Sequence, residues 1–329
     1  MTSSRILVVG PAWVGDMVMA QSLFATLKSQ YPDAAIDVLA PRWTLPLLRF
    51  MPEVRRAIEQ PLGHGELGLA TRFRLGRELR RQAYDLALVL PGSFKSALTP
   101  YWAGILQRRG YGGALRRLLL SEARAKSKLP QVESYAALAD WTGAAPRPRL
   151  TLPPTASTQA LQALGLTRPT APLLAIAPGA EYGPAKRWPE RHFAAVAAKR
   201  RAQGWQVWLF GSAADRGIAD QIPSDQNLAG RTSLDQAVAL LGLADAVLSN
   251  DSGLMHVAAA LDRPQVALFG PSDPIRTGPR NPAAHVLRLG IDCSPCNKRV
   301  CPLGHHRCLE DLFPETVLAA LPQNGSGAA

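Results

Sequence analysis

No stretch of 18 uninterrupted apolar residues occurs in the 329-residue chain, which excludes a helix able to span a bilayer. Met1-Thr2-Ser3-Ser4-Arg5 runs straight into the strand-like Ile6-Leu7-Val8-Val9-Gly10. The long apolar region and cleavage site of a secretory signal are missing there, so a cytoplasmic protein is expected. Aromatic residues make up only 6% of the chain. No interleaved arginine–aromatic platform is visible, which argues against a nucleic-acid groove. The first strand–helix junction, Gly10-Pro11-Ala12-Trp13-Val14-Gly15-Asp16, is not Gly-x-Gly-x-x-Gly, so a dinucleotide fingerprint is absent. Cysteine is scarce, and its four copies fall in one stretch near the carboxyl end.

What is present is a chain that is 47% hydrophobic and long enough for two domains with separate cores. Strand-like and helix-like segments alternate: Ile6–Gly10, Asp16–Gln30, Ile36–Ala40, Thr71–Arg81 and Leu86–Leu90. The Pro-rich stretch from Pro146 to Pro154 interrupts the pattern as a linker would, and the alternation restarts at Leu173–Ala177. Pro189–Arg201, Gln206–Phe210, Leu234–Leu241, Ala246–Leu248 and Val266–Phe269 continue it. Such alternation predicts an α/β protein of two Rossmann-like, doubly wound parallel sheets. The expected domains are 1–155 and 156–312. A terminal segment, 313–329, follows, with a helix from about Pro314 free to pack back on the first domain and a disordered Asn324-Gly325-Ser326-Gly327 tail. Ligands of such sheets lie beyond the carboxyl ends of the strands, so the expected site is a cleft between the two domains.

The net charge of +12 is unevenly placed. Residues 1–150 hold 21 Lys and Arg against 11 Asp and Glu, a balance of +10; residues 151–329 hold 16 against 14, or +2. Arg72, Arg74, Arg77, Arg80 and Arg81 form one cluster, and Arg108, Arg109, Arg116 and Arg117 another. The arginine fork suits phosphate, so nucleic acid, an anionic membrane surface or a phosphorylated acceptor are the partner classes. A solvated helix face is the plainer account of any single arginine.

Three segments carry chemistry. Asn250-Asp251-Ser252-Gly253-Leu254-Met255-His256 stands between the strand-like Asp245–Ser249 and the helix-like Val257–Leu261. A strand that turns into a helix here makes an anion site, because the first helical N–H groups have no partner in the helix and lie at the positive end of its dipole. Asp251 repels a phosphate and is better suited to hydroxyls on whatever the phosphate carries, which suggests a nucleotide-sugar. The competing account is that Asp251 or Ser252 caps the helix. Asp16, after the first strand, is placed either as a general base or as a first-turn acid stabilised by the dipole. The stretch 177–190 delivers Lys186 and Arg187 on a Gly/Pro loop just before a helix, where two cations would neutralise a departing pyrophosphate. Metal-dependent nucleotide-sugar enzymes commonly hold a divalent cation with Asp-x-Asp; no two aspartates here have that spacing.

Together Gly-Pro-Ala-Trp-Val-Gly-Asp-Met-Val-Met-Ala-Gln-Ser-Leu, Pro-Gly-Ala-Glu-Tyr-Gly-Pro-Ala-Lys-Arg-Trp-Pro and Asn-Asp-Ser-Gly-Leu-Met-His-Val-Ala-Ala-Ala-Leu resemble the heptosyltransferase family, inverting and metal-independent enzymes of the GT-B fold. Pro61-Leu62-Gly63-His64-Gly65 and Pro91-Gly92-Ser93-Phe94-Lys95-Ser96-Ala97-Leu98 are similar as well, and the resemblance runs from about Arg5 to the terminal helix. It implies transfer of heptose from ADP-heptose to the first heptose of the lipopolysaccharide inner core, on a heptosyl-Kdo-lipid A acceptor at the inner face of the inner membrane. Asp16 matches the general base, Lys186 the donor-phosphate contact and Asp251 the carboxylate that binds heptose hydroxyls. The N–H groups of Ser252, Gly253 and Leu254 match the pyrophosphate cradle. His256 is placed either to touch the diphosphate or to pack. Lys95 and the basic residues of the first half would meet the acceptor, with an anionic membrane as neighbour and no nucleic acid. One position departs: relatives of a sister branch carry a Glu after the Gln206–Phe210 strand, where this chain has Gly211-Ser212-Ala213-Ala214-Asp215. Asp215 or backbone groups would then serve the ribose.

Cys293, Cys296, Cys301 and Cys308 enclose His305 and His306. In a cytoplasmic chain disulfides are disfavoured. A structural tetrahedral zinc site and a loop of reduced thiols both fit this spacing, which is not that of a familiar ribbon or finger. No cofactor is expected for catalysis. Alternatives to the transferase are a relative with another acceptor, a GT-B nucleotide-sugar epimerase, which would have no use for the basic first half, and a non-enzymatic anion-binding protein.

Overall fold

The computed structural model describes residues 4–63, 65–113 and 115–323, so His64 and the Asn324–Gly327 tail lie outside the described residues. The chain divides into two compact units, Met1–Pro148 and Arg149–Ala329. The division falls inside the proline-rich stretch, earlier than the 155/156 boundary expected from the sequence. Each unit holds one six-stranded, all-parallel sheet.

In the first unit β1 (Arg5–Val9), β2 (Ala35–Pro41), β3 (Val54–Gln60), β4 (Leu86–Val89), β5 (Gln107–Tyr111) and β6 (Glu122–Arg124) stand in the order β3-β2-β1-β4-β5-β6. In the second, β7 (Leu173–Ala177), β8 (Gln206–Leu209), β9 (Gln226–Asn227), β10 (Ala246–Asn250), β11 (Gln265–Leu268) and β12 (Ala284–Leu287) stand in the order β12-β11-β10-β7-β8-β9. Read from its first strand outward, each sheet has the same doubly wound order. The order reverses between β1 and β4 and again between β7 and β10, and in such sheets that switch point is where ligands bind, beyond the strand carboxyl ends. This is the α/β, GT-B class of fold expected from the sequence.

Central strands are legible because both their faces are covered. Ile6, Leu7 and Val8, and Leu173 to Ile176, are buried without interruption, as parallel strands between two helical layers must be. The helix Val14–Gln30 is buried on nearly all sides, from Met17 to Phe24, and packs on the Gln131–Ala137 helix. Strands β3, β5, β6, β9 and β12 escaped the sequence reading because they are short or polar; Arg55, Arg56, Arg108, Arg109, Glu122 and Arg124 sit in them. Edge and near-edge strands show water one side and so carry no apolar run.

The terminal helix Pro314–Ala320 belongs to the second unit. Val317 and Leu321 are buried in the core with Trp188, Phe193 and Val196. The apolar side of that short helix needs a partner, and the Glu190–Ala202 helix supplies it.

One buried polar network stiffens the first sheet. Asp37, fully buried in β2, accepts from Arg55 Nε at 2.8 Å and Nη2 at 2.6 Å, and from the Tyr84 hydroxyl at 2.5 Å. Burial first, then the Asp37 carboxylate, pushes the Tyr84 phenol well up, so it stays a donor. Asp37→Ala removes the acceptor and leaves a buried hydroxyl unpaired, which should lower stability by about 3 kcal/mol. Urea denaturation of the variant measures this; an unshifted midpoint would mean the network carries no stability.

Candidate functional site

The site groups of the second unit collect at the switch point of its sheet. Strand β10 ends in Asn250, and the helix Gly253–Ala260 begins three residues later, earlier than the Val257 start read from the sequence. Ser252 is the N-cap with extended backbone (φ −144°, ψ 173°), and its side chain makes no capping hydrogen bond. The capping account of this segment therefore fails for both candidates: Ser252 leaves the helix amides open, and Asp251 is engaged elsewhere. The first N–H groups of that helix, among them Gly253 and Leu254, face outward without helical partners.

Asp251, 6% exposed, accepts from Lys186 Nζ at 2.5 Å and from the Ser272 hydroxyl. Two groups far apart in the chain and expected to share one donor are thus in contact. Their pairing solves the problem of a carboxylate beside an anion site, because the lysine cancels its charge. Lys186 comes from the loop between β7 and the Glu190–Ala202 helix. Asn250 holds that loop at both ends: its side-chain oxygen accepts from Trp188 N at 3.0 Å, and its Nδ2 donates to Pro178 O at 2.7 Å. The Tyr182 ring lies 4.9 Å from Lys186 Nζ and 5.3 Å from the Arg299 guanidinium carbon, and its hydroxyl donates to Asn297 O at 2.9 Å. Gly183 has φ +155°, and a Cβ there would come within 2.5 Å of Arg299 O. Only glycine lets the two segments approach so closely. Arg187 Nε is buried with no protein acceptor.

His256 is buried one turn into the helix. Burial, assisted by the Lys186 charge and opposed by Asp251, lowers its pKa to about 4. At neutral pH the imidazole is uncharged, so it has no positive charge to offer a diphosphate.

Asp215, considered for ribose, is wedged against the β7 and β8 strand ends: a Cβ on Gly179 would stand 2.2 Å from its carboxylate carbon. Its Oδ2 accepts from Ser212 N at 2.9 Å and Ser212 Oγ at 2.8 Å, a capping box that commits this oxygen locally.

All four cysteines line one cavity of about 20 Å³ together with His305, His306 and Ala185. The cluster is not remote from the donor loop, since Ala185 N donates to Arg299 O at 3.0 Å. Burial, with the neighbouring thiols, pushes Cys308 up to about 11, while amides from His306 and its neighbours lower Cys301. Among the described residues no group of three or more His, Cys, Asp or Glu side chains is placed to hold a metal ion. All four thiols nevertheless face the same small cavity, and Cys308 lies close enough to the other three to feel their charge.

In the first unit Asp16 occupies the first turn of the Val14–Gln30 helix, at the carboxyl end of β1 and beside the switch point. Buried Tyr135, on the packed Gln131–Ala137 helix, feels its charge: burial and then Asp16 raise the phenol well above its ordinary value. Lys95 lies in the turn Phe94–Ala97 after β4 and donates to Glu66 O at 3.0 Å. The arginine clusters divide. Arg72 and Arg116 are buried, donating to Leu67 O at 2.7 Å and Val89 O at 3.1 Å, and burial lowers Arg116 to about 10. Arg108 donates to Leu119 O, and Arg109 pairs with Glu122 and Asp140. Much of the arginine assigned to an outside partner holds this unit together instead.

Fixed cations beside a carboxylate suited to hydroxyls are chemistry for a phosphorylated sugar, and glycosyltransferases combine such a site with twin parallel sheets. The chain belongs to glycosyltransferase family 9 (heptosyltransferase), whose model matches residues 72–307. Lipopolysaccharide heptosyltransferase 2 of Salmonella typhimurium (strain LT2) is 47% identical, over 96% of this chain and 97% of its own length. Lipooligosaccharide heptosyltransferase 2 of Haemophilus influenzae is 45% identical over 96% and 98%. A structure of E. coli ADP-heptose lps heptosyltransferase II superposes with a TM-score of 0.84 at 43% identity, over 96% of this chain and 97% of that one.

Sequence reading missed the bracing of Lys186. Asn250 and Tyr182 stood inside the quoted motifs, but only the fold shows them gripping the loop; Ser272 and the Arg299 carbonyl had no sequence signal.

Two expectations follow. Native His256 stays neutral down to about pH 4 while the unfolded imidazole protonates near 6.5. The unfolded state therefore binds more protons in that window, and stability should fall by roughly 3 kcal/mol as pH drops through it. His256→Gln should flatten that part of a stability–pH curve measured with denaturant; an unchanged slope would place its origin elsewhere. Metal analysis of protein purified without chelator separates the two readings of the cysteine stretch: a stoichiometric metal content is the outcome of a structural site, and a content near zero that of a loop of reduced thiols.

Proposed function

We propose that this chain transfers L-glycero-D-manno-heptose from ADP-heptose to the first heptose of the lipopolysaccharide inner core, on heptosyl-Kdo-lipid A at the cytoplasmic face of the inner membrane. The observation that carries this reading is the Lys186–Asp251 contact at the N-terminus of the Gly253–Ala260 helix. The similarity to heptosyltransferase 2 proteins over nearly the full chain supports the choice of substrates.

The donor diphosphate replaces Asp251 as the partner of Lys186 and takes hydrogen bonds from the amides of Ser252, Gly253 and Leu254; Arg187 adds a second cation. Asp251, released, accepts from heptose hydroxyls. Asp16 takes the proton from the acceptor hydroxyl, whose oxygen forms the new bond to the anomeric carbon. The bond from that carbon to the diphosphate oxygen breaks on the opposite face, and ADP leaves with inversion. Lys186 and the helix amides stabilise the charge that develops on the leaving group, so the reaction is proposed to need no metal or other cofactor. Lys95 is the proposed contact for a phosphate of the acceptor. His256 stays neutral and supports the helix from beneath.

ADP release should be fast with mono-heptosylated Kdo-lipid A and near background with the non-heptosylated form. Asp16→Asn should lower kcat by about 10²–10⁴-fold with donor affinity little changed, whereas Lys186→Ala should weaken donor binding as well. Equal rates with both acceptors would sink the proposed acceptor, and full activity of Asp16→Asn would sink the base.

A further inference from the structure

A face of the first unit combines positive charge with exposed apolar side chains, and neither the donor site nor Asp16 uses it. The helix Leu69–Arg80 begins close to the corner where Lys95 meets Glu66 O. Its inner side is fixed: Arg72 is buried, and a Cβ on Gly76 would stand 2.8 Å from Trp102 Cβ and 2.9 Å from Thr99 O, so this helix lies tight against Leu98–Trp102. Its outer side carries Arg74, Arg77 and Arg80, with Arg81 just beyond, all exposed. The side chains of these four make no hydrogen bond or ion pair to the protein among the described residues. With Phe73 and Glu78 they line an open depression of about 510 Å³.

The apolar component is continuous with this charge. Phe73, 45% exposed, packs edge-on against Trp102 with ring centroids 5.6 Å apart. Next along, the Arg108 guanidinium carbon lies 5.4 Å from the Tyr101 ring centre, and Arg108 donates to the carbonyls of Leu106 and Leu119. Leu106 is 83% exposed, and Leu118, next to Leu119, is 74% exposed. Leucines this open, beside a row of unpaired arginines, are poorly suited to bulk water and well suited to a headgroup–acyl boundary.

We propose that this face, Phe73–Arg81 with Leu106 and Leu118, docks the protein on the anionic phospholipid surface of a bilayer, the arginines meeting lipid phosphates and the leucines entering the interface. The inference rests on the reading of a lipid-linked acceptor and says how the enzyme reaches it. Charge selects the occupant. A second copy meeting this face through a two-fold axis would set arginine row against arginine row, and only Glu78 stands among them to relieve the repulsion. An anionic bilayer complements the whole row, and each exposed arginine near such a surface strengthens binding about fivefold.

The test is flotation of the full chain with vesicles of phosphatidylcholine containing 30% phosphatidylglycerol (roughly the charge of an anionic leaflet) and with pure phosphatidylcholine vesicles. Neither donor nor acceptor is present, so the result is independent of the ADP-release assay, and failure of either reading is visible alone. Wild type should bind the anionic vesicles and not the neutral ones, and high salt should release it. The triple variant Arg74→Gln, Arg77→Gln, Arg81→Gln should bind on the order of a hundredfold more weakly. Leu106→Ser, at a site too exposed to threaten folding, should weaken binding separately, and unfolding midpoints confirm that both variants fold. The proposal is overturned if wild type does not bind the anionic vesicles, if the triple variant binds like wild type, or if neutral vesicles bind equally well. Self-association that the triple variant abolishes, without vesicle binding, would make a second copy the occupant and overturn it too.

Discussion

A cation and a carboxylate from two different strand ends meet at 2.5 Å, and much of the second unit is arranged to bring them there. Lys186 and Asp251 are 65 residues apart in sequence, so no local preference can join them. The doubly wound order does, by making β7 and β10 neighbours and opening a switch point between their carboxyl ends. Asn250 then uses both ends of one side-chain amide to clip the lysine loop to the strand that carries the carboxylate. Tyr182, Gly183 and the Arg299 carbonyl support the loop from its other side. Each partner neutralises the other; in the proposed reaction phosphate takes the lysine and hydroxyls take the carboxylate. The preformed pair limits the cost of burying either charge alone and holds both groups in place for exchange.

The same electrostatic logic runs differently in the first unit. Its balance of +10 over residues 1–150 invites the idea of a basic surface for anionic partners. Arginine has two uses, however, and burial decides between them. Arg72, Arg108 and Arg116 spend their forks on backbone carbonyls that the short strands and 3-10 turns leave unpaired. Arg109 and Arg124 form a network with Glu122 and Asp140 that fastens β5 and the edge strand β6 to the end of the neighbouring helix. What remains for solvent is a narrower set along one helix, and its concentration there, beside open leucines, makes it distinctive.

The cysteine stretch shows a second consequence of the fold. Four thiols in sixteen residues suggest a metal knot, and they do surround one small cavity. The backbone that carries them packs on the Lys186 loop through Arg299, Asn297 and the Tyr182 ring. It thereby braces the loop that carries Lys186.

The sequence by itself determined the fold class, the order of the buried strands and the three segments that hold Asp16, Lys186 and Asp251. These are properties of apolar runs and of turn chemistry, which act over a few residues and leave a local trace. Polar strands at the edge such as β6 left none, because a strand open to water on one side needs no apolar run. Tertiary structure alone decided that Lys186 neutralises Asp251, that His256 is too deeply buried to carry charge, that the terminal helix completes the second core, and which arginines face outward. Each of these depends on burial or on contact between residues distant in the chain. Desolvation and Coulomb attraction are set by the surroundings of a group and not by its neighbours in sequence.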